Sequence, residues 1–189
     1  MARFGRLFRD GLTAFAALAL LSLLASKMNN RQEIFQSGGF FVIDGDTLSR
    51  QGERLRLLGI DAPERDQQCE RSGASWACGR EARDLLVKLL KDGGVECRGG
   101  DHDRYGRLLA TCRAGGIDLN REMVRRGMAV SYGAYRAEEA EARAARAGLW
   151  AGNFERPADY RRDEQIGRRT ASDPFSAIRD AVRRLAGMP

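Results

Sequence analysis

Short runs in the middle of the chain place β-forming apolar residues next to Gly and Asp, a pattern typical of strands and tight turns. The runs FFVIDGDTLSR (40–50) and ERLRLLGI (53–60) are separated only by Gln51–Gly52, which predicts strands joined by a turn. Further along, VEC (95–97) and RLLATCR (107–113) predict two more strands around a polar loop.

Three other segments have a helical pattern. Residues 80–92 place apolar side chains at helical spacing, and residues 137–147 are rich in Ala, Glu and Arg. Asp118 is a plausible N-cap for a helix that extends to Arg126. A glycine follows each segment and is expected to end it. Strands come first and helices later, so we predict an α+β fold, a small barrel with helices packed on it.

These patterns divide the chain into a folded middle and two extensions. The predicted units are a basic flank at 1–10, an apolar run at 11–26, a linker at 27–37, a domain at 38–155 and a basic tail at 156–189. The tail has no visible periodicity before a possible short helix at 174–185.

The apolar run at 11–26 has the features of an export signal or anchor. Residues 1–9 hold three arginines and no acid, and the 16 residues of the run would span about 24 Å as a helix. Cleavage after Ala25 would place Leu23 at the −3 position, where a small residue is needed. We therefore favour an uncleaved anchor in the inner membrane with the domain on the periplasmic or extracellular side. Secretion after cleavage and a buried helix remain the alternatives.

The net charge of +6 is concentrated at the two ends of the chain. Residues 1–31 hold five Lys or Arg against one acid, and residues 156–189 hold eight Arg against five acids. Residues 32–155 are therefore close to neutral, so overall charge does not by itself indicate a nucleic-acid site.

Four cysteines, an even number, fit an oxidising compartment and allow three pairings. Their spacing lacks the CxxC pairs of a zinc site. We favour the local pairs Cys69–Cys78 and Cys97–Cys112, and four buried free thiols are the alternative.

Carboxylates cluster in two motifs that adjoin predicted strands. Asp44 and Asp46 lie two residues apart in VIDGDT, and Asp61 and Glu64 follow the next strand in GIDAPE. Hard divalent cations bind carboxylate, carbonyl and water oxygens, so Asp46 and Asp61 are candidate ligands. Each motif alone is also an ordinary turn sequence, because Asp, Gly and Pro dominate turns.

Two arginines complete a possible phosphoryl-transfer set. Arg56 alternates with Leu55 and Leu57, so it is expected to face away from the apolar side of its strand, toward a cleft. Arg107 ends the fragment DRYGR. Guanidinium groups match phosphate oxygens bidentately and stabilise the charge that develops on them. Taken singly, each arginine is better explained as a solvated surface charge.

In order and spacing, VIDGDT, RLRLLGIDAPE, DRYGR and GLW (148–150) resemble the thermonuclease, or staphylococcal nuclease-like, family over about residues 40–150. The resemblance implies a five-stranded OB-type barrel with about three helices. The four cysteines, the apolar run and the Arg-rich tail lie outside the family's core pattern.

The resemblance also implies a metal site and a base. Asp46 and Asp61 match calcium-ligating aspartates, and Ala62 matches a residue that offers its backbone carbonyl. Glu64 matches the carboxylate that orients or deprotonates the attacking water. Asp44 is then a neighbour of the site rather than a ligand.

The remaining implied residues contact the substrate. Arg56 and Arg107 match the phosphate-binding pair, and Tyr105, Tyr135 and Arg104 are expected to bind the nucleotide. The only histidine, His102, is expected to be a surface residue.

The function implied by the resemblance is a calcium-dependent nuclease, active on DNA, RNA or both, that leaves 3′-phosphorylated products. Its expected partners are the nucleic acid and the membrane, and a monomer is expected. A silent nucleic-acid-binding module and a membrane-tethered partner-binding protein are the alternatives of other classes.

Overall fold

The computed structural model describes residues 11–22, 33–35, 38–91 and 93–171 of the chain. The strands within them are β1 Glu33–Phe35, β2 Phe40–Asp44, β3 Thr47–Arg50, β4 Glu53–Leu57, β5 Ile60–Asp61, β6 Cys69–Arg71, β7 Ala74–Trp76, β8 Val95–His102, β9 Leu108–Ala114, β10 Ile117–Asp118 and β11 Val130–Ser131. The helices are α1 at 11–22, α2 Cys78–Leu90, α3 Leu119–Arg125, α4 Arg136–Ala144 and α5 Pro157–Ala171, with a 3-10 helix at Gly148–Ala151.

The main sheet joins two groups of antiparallel strands through one parallel pair. Its order is β1-β8-β9-β4-β3-β2, with β10 added to β9, and β4 runs parallel to β9. Two small sheets lie beside it, formed by β5 with β11 and by β6 with β7. The described residues therefore form the predicted α+β structure, and its longer elements follow the predicted order of three strands, a helix, two strands and two helices.

The core lies between one face of this sheet and helices α2 and α3. Leu55 and Leu57 of β4 are fully buried there, whereas Arg56 between them points to the other face, as the alternation predicted. Helices α2 and α3 contribute the buried side chains Leu86, Leu89, Leu119, Met123 and Val124.

The three predicted helices and both cysteine pairs are confirmed, although α2 begins and ends two residues earlier than predicted and α4 ends at Ala144 rather than at residue 147. Asp118 caps α3, since its side chain accepts a hydrogen bond of 2.9 Å from the backbone N–H of Arg121. The two disulfides are Cys69–Cys78 and Cys97–Cys112. The first ties the β6–β7 hairpin to the start of α2, and the second ties β8 to β9.

Two segments that were predicted to lack regular structure form secondary structure. Strand β1, inside the predicted linker, pairs with β8, and helix α5 occupies the first half of the predicted tail. Helix α5 has few apolar residues and is fixed largely by polar contacts, which a search for apolar periodicity does not detect. The predicted helix at 174–185 lies outside the described residues.

Helix α1 covers most of the predicted anchor, and its large apolar side chains, among them Leu12, Phe15 and Leu18, are exposed. Across the described part of the chain, no helix is both long and apolar enough to cross a membrane. The basic flank 1–10 and residues 23–26 of the predicted anchor lie outside the described residues.

We expect the Cys97–Cys112 bridge to stabilise the sheet by restricting the unfolded chain. It closes a sequence separation of 15 residues, so the double substitution Cys97→Ala/Cys112→Ala should lower the free energy of unfolding by about 3 kcal/mol. Urea unfolding of the full-length protein measures this loss. A thiol assay should find no free thiol in the variant, which would show that Cys69–Cys78 is intact. A loss below about 0.5 kcal/mol would contradict the prediction.

Candidate active site

The turn between β2 and β3 buries the first carboxylate of the site. Asp46 is only 4% exposed, and its carboxylate accepts hydrogen bonds from Thr47 Oγ1 at 2.8 Å and from the backbone N–H of Ala62 at 3.2 Å. Gly45 permits this packing, because a Cβ there would lie 2.8 Å from the Cβ atoms of both Ala62 and Ala82. The turn is therefore pressed against helix α2 and the strand-end residue Ala62.

Arg56 joins Asp46 to the second buried carboxylate, Asp61. Its Nη2 atom lies 2.9 Å from Asp46 Oδ2 and 2.6 Å from Asp61 Oδ1. Asp61 is 3% exposed and lies on β5, where it pairs with Val130 of β11. Burial alone would lower the pKa of Arg56, but the negative charges of Asp46 and Asp61 raise it. The two carboxylates therefore hold Arg56 in its charged form.

Glu64 follows on a loop that is fixed by the start of α2 and by Gln67. A Cβ at Gly79 would lie 1.7 Å from the carbonyl oxygen of Glu64, so the helix backbone packs directly on this loop. The fully buried Gln67 accepts a hydrogen bond of 3.2 Å from the Glu64 backbone N–H. These contacts set the position from which the Glu64 side chain reaches the site.

Arg107 approaches from the loop between β8 and β9. Its Nε and Nη2 atoms lie 2.7 and 2.6 Å from Asp103 Oδ2, which orients the guanidinium. Its Nη1 atom donates a long hydrogen bond of 3.5 Å to Thr47 Oγ1, and Thr47 in turn donates to Asp46. Arg107 is thus linked to the carboxylate group through Thr47.

Arg161 of helix α5 also enters the site, although no motif in the sequence predicted it. Its Nη2 lies 3.0 Å from Asp61 Oδ2 and its Nη1 lies 2.9 Å from Glu64 Oε1. A continuous series of contacts therefore runs from Arg107 through Thr47, Asp46, Arg56, Asp61 and Arg161 to Glu64. The structure brings together the five side chains that the sequence predicted for these roles, those of Asp46, Arg56, Asp61, Glu64 and Arg107.

The aromatic residue on the β8–β9 loop is open to solvent beside this series of contacts. Tyr105 is 62% exposed, and the guanidinium carbons of Arg104 and Arg107 lie 4.7 and 5.4 Å from its ring centre. The neighbouring His102, at the end of β8, is exposed as predicted. The loop therefore offers a ring and two positive charges on one surface.

The predicted contact of Tyr135 with a base stays a prediction. Tyr135 is half-buried against the core, and its hydroxyl interacts with Thr111 and Asp118. Burial and the charge of Asp118 raise the pKa of Tyr135. Tyr132, which no sequence motif indicated, is 72% exposed and directly follows β11, the partner of the strand that carries Asp61.

The donor set suits a hard divalent cation at Asp46, Asp61 and the Ala62 carbonyl. A single atom, Arg56 Nη2, lies within 2.9 Å of an oxygen from each aspartate, so the two carboxylates already converge on one positive group. Among the described residues, no cluster of three or more His, Cys, Asp or Glu side chains is arranged to hold a metal. Calcium would therefore take further ligands from backbone carbonyls and water.

Asp44 borders the site and carries a strongly perturbed carboxyl group. Burial, followed by the negative charge of Asp46, raises the pKa of Asp44 to about 7. Its Oδ1 also accepts a hydrogen bond of 3.2 Å from the backbone N–H of Asp46. Asp44 thus supports the turn, in agreement with its expected place beside the ligands.

The fold and the site together are those of an α+β domain with arginines paired to buried carboxylates. The family model described as "Staphylococcal nuclease homologue" matches residues 54–152, just over half of the 189 residues. The chain belongs to this family.

Several relatives are similar over the same region. "Succinoglycan biosynthesis protein ExoI" of Rhizobium meliloti (strain 1021) is 39% identical over 117 residues, 58% of this chain and 61% of that protein. "Probable staphylococcal-like nuclease CAN3" of Oryza sativa subsp. japonica is 36% identical over 68% of this chain and 33% of its own length. An "Uncharacterized endonuclease" of Escherichia coli O157:H7 is 36% identical, over 58% of this chain and 72% of that protein. The chain thus spans less than two thirds of the first two.

The raised pKa of Asp44 predicts a pH-dependent stability. The group binds its proton more tightly in the native protein, where its pKa is about 7, than in the unfolded chain, where the value is near 3.8. Its stabilising effect is full below about pH 4 and is lost as the pH rises through 7. In the wild type, this loss should lower the free energy of unfolding by up to about 1.4 kcal/mol per pH unit over this range. Asp44→Asn cannot titrate and should therefore lack this decrease.

Urea unfolding with a chelator present, from pH 4 to pH 8, measures the difference between wild type and Asp44→Asn. The exposed Asp84, changed to Asn, is the matched control and should keep the wild-type pH dependence. Parallel curves for wild type and Asp44→Asn would show that Asp44 does not titrate in this range.

Proposed function

We propose that the chain is a calcium-dependent nuclease that hydrolyses phosphodiester bonds of DNA, RNA or both. The observation that carries the proposal is the series of contacts that joins Arg107, Asp46, Arg56, Asp61 and Glu64. Two of the similar proteins are named as a nuclease and an endonuclease, which supports the same chemistry.

We also propose that the main sheet is a five-stranded barrel of the OB type. Strands β2, β3 and β4 form one antiparallel group, and β8 and β9 form a second. The parallel pairing of β4 with β9 joins the two groups into one sheet, which supports this proposal. This arrangement brings Arg56 on β4 and Arg107, just before β9, to the same end of the sheet.

In the proposed reaction, Glu64 accepts a proton from the attacking water. The water oxygen forms a bond to phosphorus, and the bond from phosphorus to the 5′-oxygen breaks. The 5′-oxygen leaves with the electron pair and takes a proton from solvent, so one product carries a 5′-hydroxyl and the other keeps a 3′-phosphate. Arg56 and Arg107 bind the phosphoryl oxygens and stabilise the negative charge that grows on them. Bound calcium, held by Asp46, Asp61 and the Ala62 carbonyl, would supply Lewis-acid polarisation of the phosphate.

The contacts of the two arginines suit this role to different degrees. Arg107 is oriented through Nε and Nη2 by Asp103, and its long contact with Thr47 leaves Nη1 only weakly engaged. Arg56 is engaged by two carboxylates, so it serves both to hold the metal ligands and to present its remaining N–H groups. Removing Arg56 should therefore harm the site's structure as well as its chemistry.

We propose that the catalytic domain works outside the cytoplasm, anchored by the N-terminal segment or released after cleavage. The basic residues before the uncharged run at 11–26 support targeting, and the two disulfides support an oxidising compartment. Nucleic acid is the proposed partner, and the protein is proposed to act as a monomer.

We expect Glu64→Gln to lower the cleavage rate by about 10²- to 10⁴-fold, because the amide cannot accept the proton. Arg107→Ala should lower it by about 10²- to 10³-fold, because one stabilising charge is lost. The assay is digestion of single-stranded DNA and RNA by the full-length protein, with calcium or with a chelator, and the chelator should abolish cleavage.

Glu96 and Arg98 form an exposed ion pair on β8 and provide matched controls. Glu96→Gln and Arg98→Ala should cleave at the wild-type rate. Equal rates with calcium and with chelator, or wild-type rates in Glu64→Gln and Arg107→Ala, would refute the proposed function.

A further inference from the structure

Helix α5 carries Arg161 into the candidate active site, although the match to the family ends at residue 152. The helix begins at Pro157, and its first turn is closed by a hydrogen bond of 3.0 Å from the Tyr160 backbone N–H to the Arg156 carbonyl. Arg161 therefore lies outside the residues that the family model matches.

The start of α5 is tied to the loop that carries Glu64. Gln67, whose Oε1 accepts from the Glu64 backbone, donates through Nε2 to the Glu155 carbonyl at 2.8 Å. The backbones of Glu70 and Asn153 exchange two further hydrogen bonds, of 2.8 and 3.0 Å. One buried side chain thus links the loop of the base to the helix that delivers Arg161, so the approach of Arg161 is built into the fold.

The guanidinium of Arg161 spans two carboxylates that have separate roles in the proposed reaction. It binds the outer oxygen of Asp61, Oδ2, while Arg56 binds Oδ1 of the same group, and its other nitrogen binds Glu64 Oε1. Burial alone would lower the pKa of Arg161, but its hydrogen bonds to Asp61 and Glu64 raise it. Arg161 is therefore positively charged at all physiological pH values.

A divalent cation bound at Asp61 would compete with Arg161 for Oδ2 of this carboxylate. Calcium binds carboxylate oxygens directly, and a second positive charge next to it is repelled. Two cations that share ligands bind antagonistically. The apparent affinity of one cation falls as the other occupies a larger fraction of the sites. The Arg161 side chain is 33% exposed, so it has a path into solvent while α5 stays folded.

We propose that Arg161 is an internal competitor of the divalent cation. The Arg161 guanidinium holds Asp61 and Glu64 until calcium displaces it. Arg161 therefore sets the calcium concentration at which the site becomes active. The proposal rests on the proposed function, because it assumes that Asp61 ligates the metal and that Glu64 is the base. It adds that the C-terminal helix restrains both groups when calcium is scarce.

The test is a calcium titration of the full-length protein by isothermal calorimetry, with no nucleic acid present. Removing the competing charge in Arg161→Gln should lower the Kd for calcium by about tenfold or more. Arg161→Lys keeps the charge but loses the two-pronged contact, so its Kd should lie between those of Arg161→Gln and the wild type. In the digestion assay, the calcium concentration for half-maximal cleavage should shift in the same direction.

Arg162→Gln is the matched control. Arg162 lies on the same helix, is 67% exposed and pairs with Asp159, so its loss should leave the Kd for calcium unchanged. Thermal unfolding followed by circular dichroism shows whether each variant is folded. If Arg161→Gln does not fold, the Kd of Arg161→Lys decides, and it must fall below that of the wild type.

Three outcomes would separate the explanations. A wild type that binds calcium and cleaves, with an Arg161→Gln variant that binds calcium no more tightly, overturns the role of Arg161 and leaves the proposed function standing. A variant that loses cleavage at saturating calcium, with an unchanged Kd, makes Arg161 a phosphate ligand and also overturns the proposal. No calcium binding by any variant, together with no cleavage, overturns the proposed function itself.

Discussion

The burial of Asp46 and Asp61 is the constraint on which the site depends. Two carboxylates that are at most 4% exposed repel each other, and without compensation each would cost several kcal/mol. Arg56 compensates both, because one nitrogen lies within 2.9 Å of each aspartate. The register of β3 and β4, which sets Thr47 opposite Arg56, therefore determines whether the buried charges are balanced.

At two glycines, the close packing of the core also positions residues of the site. Gly45 allows the turn of Asp46 to touch Ala62 and Ala82, and Gly79 allows α2 to lie on the carbonyl of Glu64. Helix α2 therefore positions a metal-ligand candidate at one point and the candidate base at another. Movement of this helix would change the distances among the charged groups even if none of them were substituted.

The sequence predicted the parts of the site that follow from local pattern. Alternation around Arg56 predicted its direction, and the motifs that contain Asp46, Asp61 and Glu64 predicted the carboxylates. Arg161 was not predictable in this way, because its contacts with Glu64 and Asp61 span nearly the full domain and α5 has little apolar periodicity. A charged residue that is positioned by a distant buried amide, here Gln67, leaves no periodic signal along the chain.

The parallel pairing of β4 with β9 also determines when the site can exist during folding. Leu55 pairs with Leu108, about fifty residues further along the chain, so this contact closes a long loop and is expected to form slowly. Arg56 and Arg107 lie next to these residues, on the two sides of the pair. A partly folded chain holds the carboxylates and Arg56 in one local segment but lacks Arg107 beside them. The sheet must therefore close before Arg56 and Arg107 can lie side by side.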